Sequence, residues 1–118
     1  MIEDDSPKIN EKMLHADVIV FATPIYYYEM SGQMKTLLDR ANPLFTRDYN
    51  FREIYLLAAA AEEDRAAMDR AVAGLEGWIA CFEKAKLEGT LFAGGVTEIG
   101  DINGNAVLEE ARRMGENV

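Results

Sequence analysis

Little in this chain can close a disulfide, build a metal cluster or attract a polyanion. It has one cysteine, Cys81, and one histidine, His15. A lone thiol forms no internal disulfide and supplies no multi-thiolate zinc or iron-sulfur site. Twelve Lys and Arg stand against twenty-one Asp and Glu, a formal net charge of -9. That balance removes the counterion-release surface on which nucleic acids and anionic membranes are bound. No apolar run approaches the roughly 20 residues of a membrane span. The stretch Met1-Ile2-Glu3-Asp4-Asp5 has neither the basic nor the apolar region of a signal peptide. A reducing, cytoplasmic setting is the expectation. What is present is ordinary globular composition, 49% apolar over 118 residues, enough for one domain around one core.

The apolar residues recur with periods that name elements. Ser6-Pro7 starts a helix that runs to about His15, with Ile9, Met13 and Leu14 on one side. Val18 to Ala22 is an unbroken apolar run, typical of a parallel strand covered by helices on both faces, and Pro24 predicts its end. From about Ser31 to Asn42, Met34, Leu37, Leu38 and Ala41 form an inward stripe. Leu44 to Arg52 has no period and reads as a connection over the surface, with Phe45, Tyr49 and Phe51 free to cover a ligand or another subunit. Ile54 to Ala60 is a second buried strand. Glu62-Glu63-Asp64 then precedes a helix marked by Met68, Val72, Leu75, Ile79 and Phe82, and carboxylates suit a first helical turn. Gly74 and Gly77 inside that helix point to close approach of its backbone to a neighbouring sheet. A third strand lies in Lys86 to Ala93 and is ended by Gly94-Gly95. The last helix, about Asn105 to Met114, turns Val107, Leu108, Ala111 and Met114 inward. Strands alternating with helices make an α/β fold with a parallel sheet and right-handed crossovers.

The chemistry concentrates at the end of the first strand. Thr23-Pro24-Ile25-Tyr26-Tyr27-Tyr28 offers flat aromatic faces with hydroxyl rims where open α/β sheets hold their ligands. Tyrosine is equally at home in a subunit interface, and the two readings are compatible. His15 near a helix end, Cys81 in an amphipathic helix, Trp78 and the Lys35/Asp39 spacing all read as structural features rather than as machinery.

The ordered set Thr23-Pro24-Ile25-Tyr26-Tyr27, Ser31-Gly32-Gln33-Met34-Lys35 and Asp39-Arg40 resembles the flavodoxin-like NADPH-dependent FMN reductases, also described as flavoredoxin-like proteins. The resemblance implies a three-layer α/β/α fold with strand order 2-1-3-4-5, FMN as cofactor and NAD(P)H as co-substrate. It implies hydride transfer through FMN to a small-molecule acceptor such as a quinone or free flavin, with no catalytic side chain and no metal. Thr23, Pro24, Ile25, Tyr26 and Tyr27 would lie along the flavin ring. Ala60, Ala61 and Glu62 would approach it from the other side, where many relatives carry a Gly- or Thr-rich turn. Gly94-Gly95-Val96 and the loop to Asp101 would border the substrate. Family members commonly bind flavin near a dimer interface, which implies a homo-oligomer.

On this resemblance, residues 1–118 correspond to the C-terminal portion of the family, strands three to five of an incomplete fold. The strand-turn-helix that cradles the FMN phosphate would be lacking. The first strand would then leave an open edge, covered by a second chain or by a missing N-terminal part. The alternative function is a truncated, non-catalytic half-domain that acts as an association module.

Overall fold

The computed structural model describes residues 2–118. Along the chain run α1 (Ser6–His15), β1 (Val18–Tyr26), β2 (Glu29–Met30), α2 (Gly32–Arg40), β3 (Glu53–Ala59), α3 (Asp69–Ile79), β4 (Lys86–Ala93) and α4 (Val107–Glu116). Single 3-10 turns occupy Asn42–Thr46 and Arg65–Met68. The strands form one sheet in the order β2-β1-β3-β4. β1, β3 and β4 are parallel, Val18 to Pro24 lying opposite Glu53 to Ala59, which in turn lie opposite Lys86 to Ala93. The expected parallel α/β sheet is present, and the short antiparallel β2 makes it mixed.

One face of the sheet carries the core. Along β1, Ile19, Phe21 and Thr23 are buried while Val20, Ala22 and Pro24 point the other way. On the first face Met34 and Leu38 of α2, and Ala71, Leu75 and Ile79 of α3, close over Ile54, Leu56 and Ala58 of β3. The second face is covered mainly near β4, where Met114 of α4 lies against Gly89 and Tyr55. Val20 is 51% exposed, so the Val18–Ala22 run is not covered on both faces as its composition suggests. An apolar run records that a strand can be buried, and the neighbours decide whether it is.

β1 also runs beyond its expected end, through Pro24 to Tyr26. Among the described residues, its edge away from β3 is unpaired until Ile25 and Tyr26 meet β2. A proline that donates no hydrogen bond is tolerated on such an edge.

The segment between α2 and β3 departs further from expectation. Leu44 and Phe51 are fully buried. Phe51 sits 5.4 Å from Phe82 and 4.7 Å from Tyr49, between ring centroids. The Tyr49 hydroxyl accepts from the Lys84 N–H at 3.0 Å. Only Phe45 of these aromatics is exposed. A 3-10 turn followed by extended chain has no helix or strand period, so the inward residues carried no pattern to read.

The two helical glycines separate. A Cβ on Gly74 would come within 3.2 Å of Met30, the buried residue of β2, so the close approach is to the hairpin. A Cβ on Gly77 would meet nothing within 4 Å. Gly77→Ala is therefore expected to stabilise the protein by about 0.5–1 kcal/mol, read as a raised urea midpoint at unchanged slope. Glu62 and Glu63 do not sit in a helical turn; Asp64 alone caps, accepting from the Ala66 N–H at 3.0 Å.

Candidate functional site

The chain leaves β1 through a two-residue hairpin. Tyr26 pairs with Glu29, so Tyr27 and Tyr28 form the loop, with φ of 50° and 66°. Two successive positive φ values mark the type I′ turn, which favours Asn-Gly and fits the twist of the strands it joins. For residues bearing a Cβ that region costs about 1–2 kcal/mol each. The hairpin holds them there from its base. The Thr23 hydroxyl donates to the Pro24 carbonyl at 2.8 Å and accepts from the Ser31 N–H at 2.9 Å, while the Ser31 hydroxyl caps α2 by accepting from the Met34 N–H at 3.2 Å. Met30 plugs the hairpin onto α3 beside Gly74. The turn thrusts Tyr27 outward, 95% exposed. The double substitution Tyr27→Asn with Tyr28→Gly is expected to raise stability by about 1 kcal/mol, because relief of strain exceeds the added chain entropy; thermal unfolding measures it.

Facing the hairpin is the loop that leaves β3. Ala60 donates to the Ala93 carbonyl at 2.9 Å and accepts from the Val96 N–H at 2.9 Å, and the Glu62 carbonyl accepts from the Gly95 N–H at 3.2 Å. These bonds lash the loop to Gly94-Gly95 after β4. The approach is so close that a Cβ on Gly94 would lie 2.8 Å from the Glu63 carbonyl oxygen and 2.9 Å from that of Glu62. Gly95 takes φ of +70° beside the Glu63 side chain. Further along, the Asp101 carboxylate accepts from the N–H groups of Glu98 and Thr97 and from the Thr97 hydroxyl, which holds its pKa below the usual aspartate range.

Between hairpin and loop lies a cleft of about 280 Å³ at the C-terminal ends of β1 and β3, lined by Ile25, Tyr27, Tyr28, Ala60, Ala61, Glu62 and Ala67. The structure thus brings together Ile25 and Tyr27 with Ala60, Ala61 and Glu62, residues far apart in sequence. It does not bring in the rest of the expected set. The Thr23 side chain is buried in the hairpin base, and Tyr26 is exposed outside the cleft lining. Pro24 lines a separate apolar groove of about 440 Å³ on the α4 side of the sheet, with Leu57, Ala59, Leu108 and Ala111. Tyr28, which was not among the residues expected along the flavin ring, and Ala67 complete the cleft. Tyr28 was legible as the third residue of the aromatic run; Ala67, in a 3-10 turn, carried no signal.

Among the described residues, the N–H groups of Ala61, Glu62 and Glu63 make no backbone hydrogen bond, leaving donors at the rim. Elsewhere, Trp78 packs edge-on to Phe21 and donates to the Leu38 carbonyl at 3.2 Å. His15 lies 3.6 Å from Glu11, and Lys35 pairs with Asp39 at 2.6 Å, both at the surface. Cys81 is exposed just beyond the end of α3 rather than within the helix.

Known proteins align with this arrangement. A family model described as NADPH-dependent FMN reductase matches residues 2–112. The Bacillus subtilis protein named "Putative NAD(P)H-dependent FMN-containing oxidoreductase YwqN" is 29% identical, over 54% of this chain and 40% of its own length. An iron-sulfur flavoprotein of Methanosarcina thermophila is 25% identical over 97% of this chain and 57% of its own. Among solved structures, the Trp repressor binding protein from Bacillus subtilis superposes with a TM-score of 0.75 at 21% identity, covering 92% of this chain and 74% of that one. An azoreductase from Bacillus anthracis gives 0.70 at 22%, covering 96% and 62%. At such identities the structures speak for the flavodoxin-like fold alone. The chain spans 40% and 57% of the length of these two curated relatives. A match restricted to the C-terminal portion of the family is not borne out, since the family model covers nearly the whole chain. On that match, over residues 2–112, the chain belongs to the NADPH-dependent FMN reductase family.

Proposed function

We propose that this protein is an FMN-dependent NAD(P)H oxidoreductase whose flavin ring lies in the cleft between the tyrosine hairpin and the Ala60–Glu62 loop. The carrying observation is that cleft: Ile25 and Tyr27 meet Ala60, Ala61 and Glu62 at the strand ends. The residues present fit a flat heteroaromatic ring. Tyr27 and Tyr28 supply aromatic surface, Ile25 and Ala67 supply apolar contact, and the free N–H groups at Ala61 and Glu62 suit carbonyl and ring-nitrogen acceptors. Bound FMN would supply the hydride chemistry, taking hydride from a nicotinamide and passing electrons to a small acceptor. The chain's own part is to hold the ring and limit water at one of its faces. Pro24 stiffens the ledge behind it, and Thr23 fixes the ledge through Ser31.

Mixing the purified protein with FMN and recording the visible spectrum tests this. Quenched flavin fluorescence and NAD(P)H oxidation support the reading, and free-flavin behaviour at saturating protein sinks it.

A second reading, an association module that binds no cofactor, draws on one observation, the unpaired β1 edge beside exposed Val20. The same edge supports a homo-oligomer under either reading. Free, exposed Cys81 suits a reducing compartment such as the cytoplasm. A single cysteine also gives this stretch no cluster of the kind named in its iron-sulfur flavoprotein relatives.

A further inference from the structure

We propose that the cleft discriminates electron acceptors by charge, favouring neutral or cationic planar acceptors over those with an anionic group beside the ring, with Glu62 as the residue that sets the preference. The inference rests on the oxidoreductase reading and adds the substrate class.

The lining is apolar and aromatic apart from Glu62, the one carboxylate in it, and it contains no lysine, arginine or histidine. Nor is that carboxylate neutralised. Among the described residues, Glu62, Glu63, Asp64 and Glu29 take part in no ion pair. The one cation in the adjoining turn, Arg65, points its guanidinium to the Thr90 hydroxyl at 2.5 Å. The Glu62 carboxylate accepts from the Asp64 N–H at 3.4 Å but faces no cation, so a sulfonate or carboxylate on an incoming ring would meet an unpaired negative charge. Even at the dielectric of water, like charges a few ångströms apart repel enough to cost roughly fivefold in affinity, and more where the cleft excludes solvent.

The same charge does not oppose the donor's ring. A quinone, reduced with a nicotinamide donor, takes up the hydride equivalent and one solvent proton to give hydroquinone; the dihydronicotinamide ring, neutral at first, leaves as a cation. A carboxylate at the mouth suits that change of charge.

The experiment compares 1,2-naphthoquinone with 1,2-naphthoquinone-4-sulfonate as acceptors for the FMN-loaded protein, in wild type and in Glu62→Gln. A calorimetric arm measures Kd for 2-naphthol and 2-naphthalenesulfonate, which accept no electrons. The expected result is that Glu62→Gln raises kcat/KM for the sulfonated quinone relative to the neutral quinone, and affinity for the sulfonate relative to the naphthol, by roughly fivefold or more. Salt at about 0.5 M shrinks the wild-type discrimination. Equal responses of charged and neutral partners to the substitution would overturn the inference while leaving the oxidoreductase reading standing. Failure of the wild-type protein to bind FMN at all overturns that reading, and the inference with it.

Discussion

Phe51→Ala is expected to cost about 3–5 kcal/mol, the largest loss among single substitutions in this fold. Phe51 is fully buried and stands at the meeting point of Tyr49, Trp78 and Phe82, with Trp78 nearly parallel to it at 6.3 Å. Its removal empties a site bounded by three rigid rings and the start of β3, none of which can swing in to refill it. The adjoining backbone is pinned, Asn50 donating to the Leu14 carbonyl at 2.9 Å and Arg52 to that of Asp17 at 3.2 Å. Small domains hold only about 5–15 kcal/mol in total, so much of the population unfolds under mild urea. Urea titration followed by tryptophan fluorescence checks this through Trp78. Phe45→Ala is the control, 58% exposed and expected to shift stability by less than about 0.5 kcal/mol. Equal losses at the two positions would show that the aromatic cluster is not the keystone.

Gly94→Ala is expected to strike the cleft rather than the core. Its new methyl would press on two carbonyl oxygens and on the Phe92 ring, at 2.7 to 2.9 Å. Backbone cannot yield as a flexible side chain does, so the Glu62-Glu63 turn must move outward and carry the cleft's far wall with it. We expect a stability loss of about 1–3 kcal/mol, of the size that overpacking brings. The loss of FMN affinity is expected to reach about tenfold, equivalent to 1.4 kcal/mol, as the wall withdraws. Flavin fluorescence titration measures it, and Gly77→Ala, which changes a glycine in open space, should leave FMN affinity unaltered. Unchanged affinity in Gly94→Ala would mean that the wall does not touch the ring.

Much of this architecture was legible because burial and periodicity coincide. β4 runs over the residues expected, Lys86–Ala93, and α1 over Ser6–His15. Of the stripe expected for the third helix, Leu75 and Ile79 are buried within α3, Val72 is partly buried, and Met68 and Phe82 are buried just outside its two ends. Legibility failed where structure has no period. The β2 hairpin is two residues long and its turn is Tyr-Tyr, without the Asn or Gly that announces a type I′ turn. The Phe51 segment is irregular and yet buried. At the site, both walls were named from sequence, but alternation along β1 decides which side each residue faces. It sends Thr23 inward and Pro24 to the opposite face, a division that no loop reading of 23–27 could contain.

Pro24 has one more consequence, for behaviour at high concentration. The unpaired border of β1 offers hydrogen bonds from Val18 onward, but at Pro24 it offers no N–H, and at Ile25 the chain's own β2 takes over. A foreign strand adding there finds a short template interrupted from one end. Prolines so placed act as gatekeepers against cross-β stacking. Pro24 thereby also shortens the run over which a foreign strand could extend this border of the sheet.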